Sequence, residues 1–421
     1  MKKIILIIII NCSLLITNCL SQWVQQTSSV TSHLYDCDFI DQNTGWVCGI
    51  NGIILKTTNG GLNWLQQNSG VSKILYGIDA VDENIVYCVG FYQTILKSTN
   101  GGNNWLIIRD GPSGTGASFS KAYFLNQNTG WLLRDGGGYV LKTTNGCTSF
   151  DSSFINNSFT YDIFFKDANS GVLCGDAALV MKSTDGGMTW NQVQLPLATG
   201  APNLYRISFV GDFGWTVGEG GPLNRGRMVW RTTNFGSSWD SIGRVPYPSN
   251  ALNYSVFFSS LNIGWAGGTT GYTFKTTNGG YNWLQQTVPS NGFRNDIWFY
   301  NDSMGWSIGG GGLIFNTING GTYVSVEQAS TVIPNEFKLY QNYPNPFNNE
   351  TVIEFDIPWQ DYYFFKIYDV IGREIETVFN EYKTSGTYKI KYNNYNLTSG
   401  VYFYTLYSKK YRQSKRFVLI K

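Results

Sequence analysis

The chain has 421 residues, of which 14% are charged and 16% aromatic, and its formal net charge is +2. A charge so sparse and balanced argues against a general nucleic-acid binder or a protein that adheres to anionic membranes. The 48 glycines and the abundance of Asn, Ser and Thr favour short strands joined by tight turns. The length suits one domain of about 300 residues plus a smaller one.

Residues 1–21 have the pattern of a secretory signal peptide. Two lysines precede a long apolar run, and small residues follow near Ser21, where we expect cleavage. A membrane anchor is the alternative, but the run is short and polar residues such as Asn11 interrupt it. Cys19 suggests lipid attachment as a further alternative, which the preceding Asn18 disfavours.

A nine-residue motif, KTTNGGLNW at 56–64, occurs in seven copies that start 40 to 49 residues apart. Its Thr-Asn-Gly-Gly core favours a tight reversal, because Asn can bond its own backbone and glycine accepts positive φ. Each copy therefore predicts a hairpin turn. The Trp after the turn begins the next strand in five of the seven copies, where it can bury its indole against a neighbouring unit.

A second element, NTGWVCG at 43–49 and its relatives, precedes each turn, and an alternating apolar strand such as LYDCDF at 34–39 precedes that. Each unit thus contains four strands. Four strands in a repeat of about forty residues predict the blades of a β-propeller, an all-β ring with seven blades.

The two ends of the repeat region are expected to pair. WVQQTS from Trp23 is nearly identical to the Trp strands at 64–69 and 283–288, but no turn precedes it. The seventh copy has Val324 where the Trp should be. We therefore expect Trp23–Thr27 to complete the last blade, which would remove the open sheet edges of an unclosed ring.

With these motifs, residues 22–328 resemble the Asp-box (BNR) propellers, and most closely the photosystem II assembly factor-like family. The resemblance is specific for fold but weak for function, because such turns occur in sialidases, other glycoside hydrolases, sorting receptors and non-enzymatic propellers. Asn replaces the box Asp in most copies, with Asp185 as an exception. We therefore expect the box to serve the turn and to bind no metal.

Residues 329–421 depart from the repeat and predict a small Ig-like sandwich of alternating strands. They resemble the C-terminal sorting domain of type IX secretion, found on exported proteins of the Bacteroidetes. The resemblance implies the type IX machinery as a partner, and a location outside the cell or on its outer surface. An ordinary Ig-like stalk is the alternative. The residues that match include Gln341, Asn342, Tyr343, Pro344, Asn345, Pro346, Phe347, Gly372, Gly400 and Tyr402.

Candidate catalytic residues are few. His33 is the only histidine, so no Ser-His-Asp triad or His-based metal centre is predicted, and we expect His33 in an exposed loop. Five cysteines follow the signal, and we expect them to be small buried residues, with a Cys37–Cys48 disulfide left open. A sialidase would need an arginine cluster, and the best candidate, Arg206 in YRIS, echoes the sialidase arginine motif imperfectly. We predict no cofactor and no metal.

A ligand is expected on the face that carries the loops between blades and the loops after GW. Aligned inner strands place a mixed-charge collar around the channel mouth on that face, either as a ligand site or as a mutually paired, solvated ring. The collar positions are Asp36, Gly77, Lys121, Asp162, Arg206, Ser255 and Asp296. Loop candidates on the same face are Arg109, Arg134, Glu219, Arg225 and Arg227.

Together these features predict an exported, non-enzymatic seven-bladed propeller that binds a protein or a glycan through its loop face. The alternatives are a secreted glycoside hydrolase of the sialidase type and an assembly factor for a membrane-protein partner. We expect no nucleic-acid partner and no integral membrane segment after signal cleavage.

Overall fold

The computed structural model describes residues 23–420 except 112–116, 136, 157, 197–200, 219–226, 247–252, 287, 291, 322–324, 349 and 393–396. It divides the chain into two compact units, residues 21–323 and residues 324–421. The predicted signal peptide, residues 1–21, lies outside the described residues. Within the described part of the chain, none of the helical segments has the length and apolar character needed to cross a membrane.

The first unit consists of seven antiparallel four-stranded sheets, as the repeats predict. Blades 1 to 3 contain β2 (Leu34–Phe39), β3 (Gly45–Gly49), β4 (Ile54–Thr57) and β5 (Leu65–Gln67); β6 (Leu75–Ala80), β7 (Val86–Gly90), β8 (Thr94–Ser98) and β9 (Leu106–Arg109); β10 (Phe119–Phe124), β11 (Gly130–Arg134), β12 (Tyr139–Thr143) and β13 (Asp151–Phe154). Blades 4 to 6 contain β14 (Thr160–Phe165), β15 (Gly171–Gly175), β16 (Val180–Ser183) and β17 (Asn191–Gln192); β18 (Leu204–Val210), β19 (Phe213–Gly218), β20 (Arg227–Thr232) and β21 (Asp240–Val245); β22 (Asn253–Phe258), β23 (Gly264–Gly268), β24 (Thr273–Thr276) and β25 (Leu284–Gln286). Blade 7 contains β26 (Arg294–Phe299), β27 (Gly305–Gly309), β28 (Ile314–Thr317) and β1 (Val24–Gln26).

The predicted closure of the ring is confirmed. Strand β1 is the outer strand of blade 7 and pairs antiparallel with β28, with Val24 opposite Asn316. Trp23 is fully buried, and its indole N–H donates to Gln286 Oε1 of blade 6 at 2.9 Å. The first strand of the chain therefore completes the last blade.

The boxed turns are held by their own side chains. In blade 1, Thr57 Oγ1 accepts the amide of Gly61 at 2.8 Å and Asn59 Oδ1 accepts the amide of Asn63 at 2.9 Å. Gly61 has a φ of +86°, a conformation that a side chain disfavours. Asp185 serves the same purpose in blade 4: its side chain accepts hydrogen bonds from Thr189, which lower its pKa to about 2.

The apolar core of the ring lies between blades. Each of seven buried clusters combines residues of two neighbouring blades, including the pair that joins blade 7 to blade 1. In that pair the Trp306 ring stacks on Phe39 with centroids 4.0 Å apart, and its indole N–H donates to the Gly60 carbonyl at 3.1 Å. Equivalent stacks join Trp131 to Phe165, Trp215 to Phe258 and Trp265 to Phe299, at 3.5, 3.8 and 3.4 Å.

The glycine of the GW element makes room for the phenylalanine ring of the stack. A Cβ at Gly305 would lie 2.3 Å from the Phe299 ring of the same blade, so only glycine fits. The box tryptophans meet the same phenylalanines edge-on, as Trp64 meets Phe39. Trp64 also reaches the neighbouring blade through its N–H, which donates to Gln26 Oε1 at 3.0 Å.

The second unit is a sandwich of two four-stranded antiparallel sheets around one core, the architecture expected of an Ig-like domain. The boundary expected after residue 328 falls inside its first strand, since Gln328 pairs with Tyr388 of the sandwich. The strands are β29 (Ser325–Ser330), β30 (Lys338–Leu339), β31 (Thr351–Ile357), β32 (Asp361–Tyr368), β33 (Glu374–Lys383), β34 (Gly386–Tyr392), β35 (Gly400–Tyr407) and β36 (Arg412–Leu419).

The five cysteines of the ring are buried and free, as small core residues would be. Cys37 lies opposite Val47 and Cys48 lies opposite Asp36 in the ladder, so the two sulfurs are not paired across the strands. The disulfide left open by the sequence is therefore not formed.

Trp306→Ala should lower the free energy of unfolding of the ring by about 3–5 kcal/mol, because it removes a buried stack and leaves a cavity at the joint of blades 7 and 1. Tryptophan fluorescence during denaturation measures this, since every tryptophan except Trp359 lies in residues 21–323. The control is Leu62→Ala, at a side chain 81% exposed, which should cost less than about 0.5 kcal/mol. Equal midpoints for the two variants would contradict the role given to the stack.

Candidate functional site

The inner strand of every blade carries a β-bulge at the same point. In blade 1 the register shifts between Leu34 and Asp36, which leaves Tyr35 as the extra residue. Bulges of this kind redirect side chains and are frequent beside functional sites. The residues at the seven bulges all line one cavity: Tyr35, Tyr76, Ser120, Tyr161, Tyr205, Tyr254 and Asn295.

This cavity, called the mouth here, has a volume of about 450 Å³. It is also lined by His33, which precedes β2, by Asp135, which follows β11, and by Arg206 and Phe293. These positions place the mouth on the face of the loops between blades and after GW. His33 is exposed, as expected, and contributes to the rim.

The predicted collar lies beneath the mouth as a mutually bonded floor. Asp36 is fully buried, and its carboxylate contacts Lys121 Nζ at 2.7 Å and Arg206 Nη2 at 2.8 Å. Arg206 Nε reaches Asp296 at 3.3 Å, and Ser255 Oγ donates to the same carboxylate at 3.1 Å. The collar is therefore mutually paired, but it is largely buried rather than solvated.

The floor also joins each inner strand to the next. Asp36 accepts the amide of Ile78 at 2.8 Å, one residue beyond the collar position of blade 2. Asp162, Ser255 and Asp296 accept the corresponding amides of Ile207, Ile297 and Cys37 at 3.0, 3.0 and 3.3 Å. Short polar side chains at the collar thus satisfy backbone donors that would otherwise be buried without partners.

Burial and ion pairing have opposite effects on the pKa values of the carboxyl groups in this floor. Burial raises the pKa of Asp36, against the lowering effect of Lys121 and Arg206. For Asp296, burial also acts to raise the pKa, but the two cations outweigh it and the pKa lies below its ordinary value. Burial disfavours the charge of Arg206 as well, yet Asp296 and Asp36 raise its pKa. Arg206 is therefore a permanent cation committed to two carboxylates.

A second tier of carboxylates lies farther along the inner strands. Asp38 accepts the amide of Ala80 at 2.8 Å, and Asp79 accepts the amide of Phe124 at 3.0 Å. Burial raises the pKa of Asp38 to about 7 and raises the pKa of Asp79 as well. Asp38 and Asp79 therefore bond neighbouring inner strands in the same way as the floor does, but farther from the mouth.

The other predicted loop residues lie apart from the mouth's described lining. Arg109 lies over the Phe119 ring at 6.0 Å, and Arg134 lies over Tyr139 at 5.5 Å. Arg227 is buried at the start of β20. Glu219 and Arg225 lie outside the described residues. Of the predicted binding residues in the described part, Arg206 is the one that the lining includes.

The tyrosines of the mouth were missed by the sequence reasoning. Tyr occupies the second inner-strand position in five of seven units, as in LYDCDF and LYGIDA, so a signal was present. In a regular strand the residue beside the collar position would point away from it, and the bulge was not visible in the pattern. No group of three or more His, Cys, Asp and Glu side chains in the described ranges is arranged to hold a metal ion.

The sorting motif divides into buried and exposed residues. Asn342 is buried and donates to Pro344 O at 3.0 Å and to Thr351 Oγ1 at 2.9 Å. Phe347 is buried against Phe417 of the final strand. Other buried or turn positions are Tyr402, whose hydroxyl donates to Thr398 O, Gly400 at the start of β35, and Gly372 with a φ of +81°.

The remaining residues of the motif face outward or bond the last strand. Tyr343 is 81% exposed, and Gln341, Pro344 and Pro346 are also exposed. Asn345 Oδ1 accepts the amide of Val418 at 2.8 Å. The motif thus closes the sandwich while it leaves an apolar ridge at the surface.

Two stretches of the chain, residues 16–105 and 152–246, match the family described as photosynthesis system II assembly factor YCF48, and residues 341–421 match the secretion system C-terminal sorting domain. The chain thus combines a propeller that is similar to the YCF48 family with a region that matches a secretion sorting domain.

Relatives of the propeller are found in photosynthetic organisms. The chloroplastic photosystem II stability/assembly factor HCF136 of Arabidopsis thaliana is 32% identical over 130 residues, 29% of this chain and 30% of that protein. The photosystem II assembly lipoprotein Ycf48 of Synechococcus is 28% identical over 129 residues, 29% of this chain and 35% of that protein. The chain thus spans about a third of the length of these curated relatives.

Solved structures support the fold of the ring. The structure described as YCF48 bound to D1 peptide has a TM-score of 0.58 and 18% identity, and the match covers 71% of this chain and 97% of that one. YCF48 from Cyanidioschyzon merolae has the same TM-score and identity, with 70% and 98% covered. At this identity the likeness shows the fold alone.

Arg206→Ala should lower the stability of the ring by about 3–5 kcal/mol, because it leaves two buried carboxylates with one cation fewer. Thermal melting followed by tryptophan fluorescence checks this. Arg134→Ala is the control, since that side chain is only partly buried and stacks on one ring. An unchanged melting temperature for Arg206→Ala would show that the floor does not depend on this ion pair.

Asp38→Asn should flatten the dependence of ring stability on pH. The unfolded Asp38 ionises near pH 4 and the folded one near 7, so the native chain should lose up to about 4 kcal/mol as pH rises through that window. The amide side chain of the variant cannot ionise, and its single oxygen can still accept the amide of Ala80, while the bond from Phe39 is lost. Melting from pH 4 to 8 measures the effect, with exposed Asp151→Asn as control. Identical slopes for the native chain and Asp38→Asn would refute the assignment.

Proposed function

We propose that the chain is a non-enzymatic binding protein of the bacterial surface, which takes part of a protein or glycan ligand into the tyrosine-lined mouth of its ring. The type IX sorting domain makes the chain a secreted or surface protein. The ring is the larger unit and contains the mouth, so it is the natural carrier of the ligand.

The observation that carries the proposal is the convergence of seven bulge residues, five of them tyrosines, on one cavity. A β-bulge disrupts the local ladder, and here it recurs in all seven blades at the mouth. Tyrosine offers apolar surface, a hydroxyl and few rotatable bonds, which favours recognition.

The floor argues against the glycoside hydrolase alternative. Such an enzyme needs two carboxyl groups about 5–10 Å apart that flank an accessible bond. Asp36, Asp162 and Asp296 are buried and accept amides from neighbouring strands, and Arg206 is paired with two of them. None of these groups is free to act on a substrate or to bind its carboxylate.

The assembly-factor alternative is supported by the comparisons, since the matched family and the curated relatives are named as photosystem II assembly factors. A YCF48 structure similar in fold to this ring is described as bound to a D1 peptide. A role as an assembly factor would make the ligand a segment of a protein partner, whereas a glycan ligand would make the chain a surface lectin-like binder.

The test uses fluorescently labelled full chain and cells that lack their own copy of it. We expect saturable binding that weakens at least about tenfold when Tyr76→Ala and Tyr205→Ala are combined, because the mouth then loses two of its five tyrosine rings. Arg109→Ala, on the same side of the ring but outside the described lining, is the control.

Binding that the tyrosine variant retains in full would refute the mouth as the site. Loss of binding after protease treatment of the cells would indicate a protein partner, and loss after periodate treatment would indicate a glycan. Release of a sugar or peptide product by the chain would refute the non-enzymatic role.

A further inference from the structure

The mouth has two aromatic walls. The pair wall consists of Tyr35 and Tyr76 from blades 1 and 2, with ring centroids 5.3 Å apart. The triple wall consists of Tyr161, Tyr205 and Tyr254 from blades 4 to 6, with successive centroids 4.8 and 5.1 Å apart. Because the blades follow one another around a closed ring, the two walls face each other across its axis.

The two gaps between the walls carry polar bulge residues, and Phe293 also lines the gap at blade 7. They fall at blades 3 and 7, where the bulge residues are Ser120 and Asn295. Ser120 Oγ donates to Thr160 O at 2.9 Å, and Asn295 Nδ2 donates to Leu34 O at 2.6 Å. These bonds fix the two side chains and use one donor of each, so the hydroxyl oxygen and the amide oxygen keep their acceptor capacity.

The charges around the mouth disfavour simple ions. A cation would sit above Arg206, whose guanidinium lines the cavity. An anion would compete for that guanidinium with Asp36 and Asp296, which already hold it, and would meet Asp135 in the gap at blade 3. A purely apolar ligand would cover Ser120, Asn295 and Arg206 without giving them hydrogen bonds, which costs free energy.

We propose that the mouth binds an uncharged saccharide unit of a surface glycan. Its apolar C–H faces lie against the pair wall and the triple wall, and its hydroxyls point to the polar gaps and to the floor. The cavity of about 450 Å³ lies within the range of roughly 300–1,000 Å³ typical of small-molecule sites. This inference rests on the proposed function and specifies its ligand.

The experiment uses the full chain and a panel of neutral trisaccharides with α- and β-linked glucose, mannose and galactose. Titration calorimetry measures affinity, and saturation-transfer NMR identifies the sugar protons that contact the protein. We expect at least one trisaccharide to bind, with the strongest transfer to ring C–H protons. Tetramethylammonium and acetate, the charged probes, should not compete with it.

Tyr205→Ala should weaken trisaccharide binding about five- to tenfold, because a stacking surface is lost. Tyr205→Phe keeps that surface and should change affinity by less than about threefold. Tyr76→Ala on the opposite wall is the second variant should Tyr205→Ala fail to fold. Tyr300→Ala, at an exposed side chain away from the mouth, is the matched control and should bind as the native chain does.

Absence of binding by every trisaccharide, or binding of tetramethylammonium or acetate instead, would overturn the saccharide assignment. If cell binding still depends on Tyr205 in that case, the proposed function survives with a different ligand. If Tyr205→Ala changes neither trisaccharide binding nor cell binding, both the saccharide assignment and the mouth as a binding site are wrong.

Discussion

Each blade of this ring depends on the next blade for its core. A four-stranded sheet of this size cannot bury both faces alone, and here the GW indole of one blade stacks on the terminal inner-strand phenylalanine of its neighbour, as Trp306 does on Phe39. A side chain of one blade also accepts the inner-strand amide of the next, as Asp36 does for Ile78. The packing and the polar bonds therefore run in the same direction around the ring, and both require closure.

Much of the ring could be predicted because the motifs that determine each blade lie close together in the sequence. The turn motif and the GW element each fall within one unit, and the similarity of Trp23–Thr27 to later Trp strands identified the closing strand before any coordinates. The stack of Trp306 on Phe39 could not be predicted in the same way, since its two members are 267 positions apart and no single repeat contains both.

The candidate site likewise has features that the sequence predicted and features that it did not. Aligned strands placed Asp36, Lys121, Arg206 and Asp296 at one level, but alignment does not show that their charges form ion pairs across the axis. The tyrosines one position earlier are brought to the mouth by bulges, which depend on how two strands pair rather than on the residues of one. The sorting motif was easier, because its first seven residues, 341–347, are contiguous and identify the domain directly.

The closing strand has a consequence for how this protein is made and moved. Until both termini of the repeat region are present, β28 has an unpaired outer edge, the kind of edge on which sheets of different chains associate. A chain that lacks β1 would keep that edge of β28 unpaired, even if the other six blades had formed. Only a chain that includes the first strand covers the edge of β28, so a fragment that lacks residues 23–27 is expected to aggregate more readily than the whole chain.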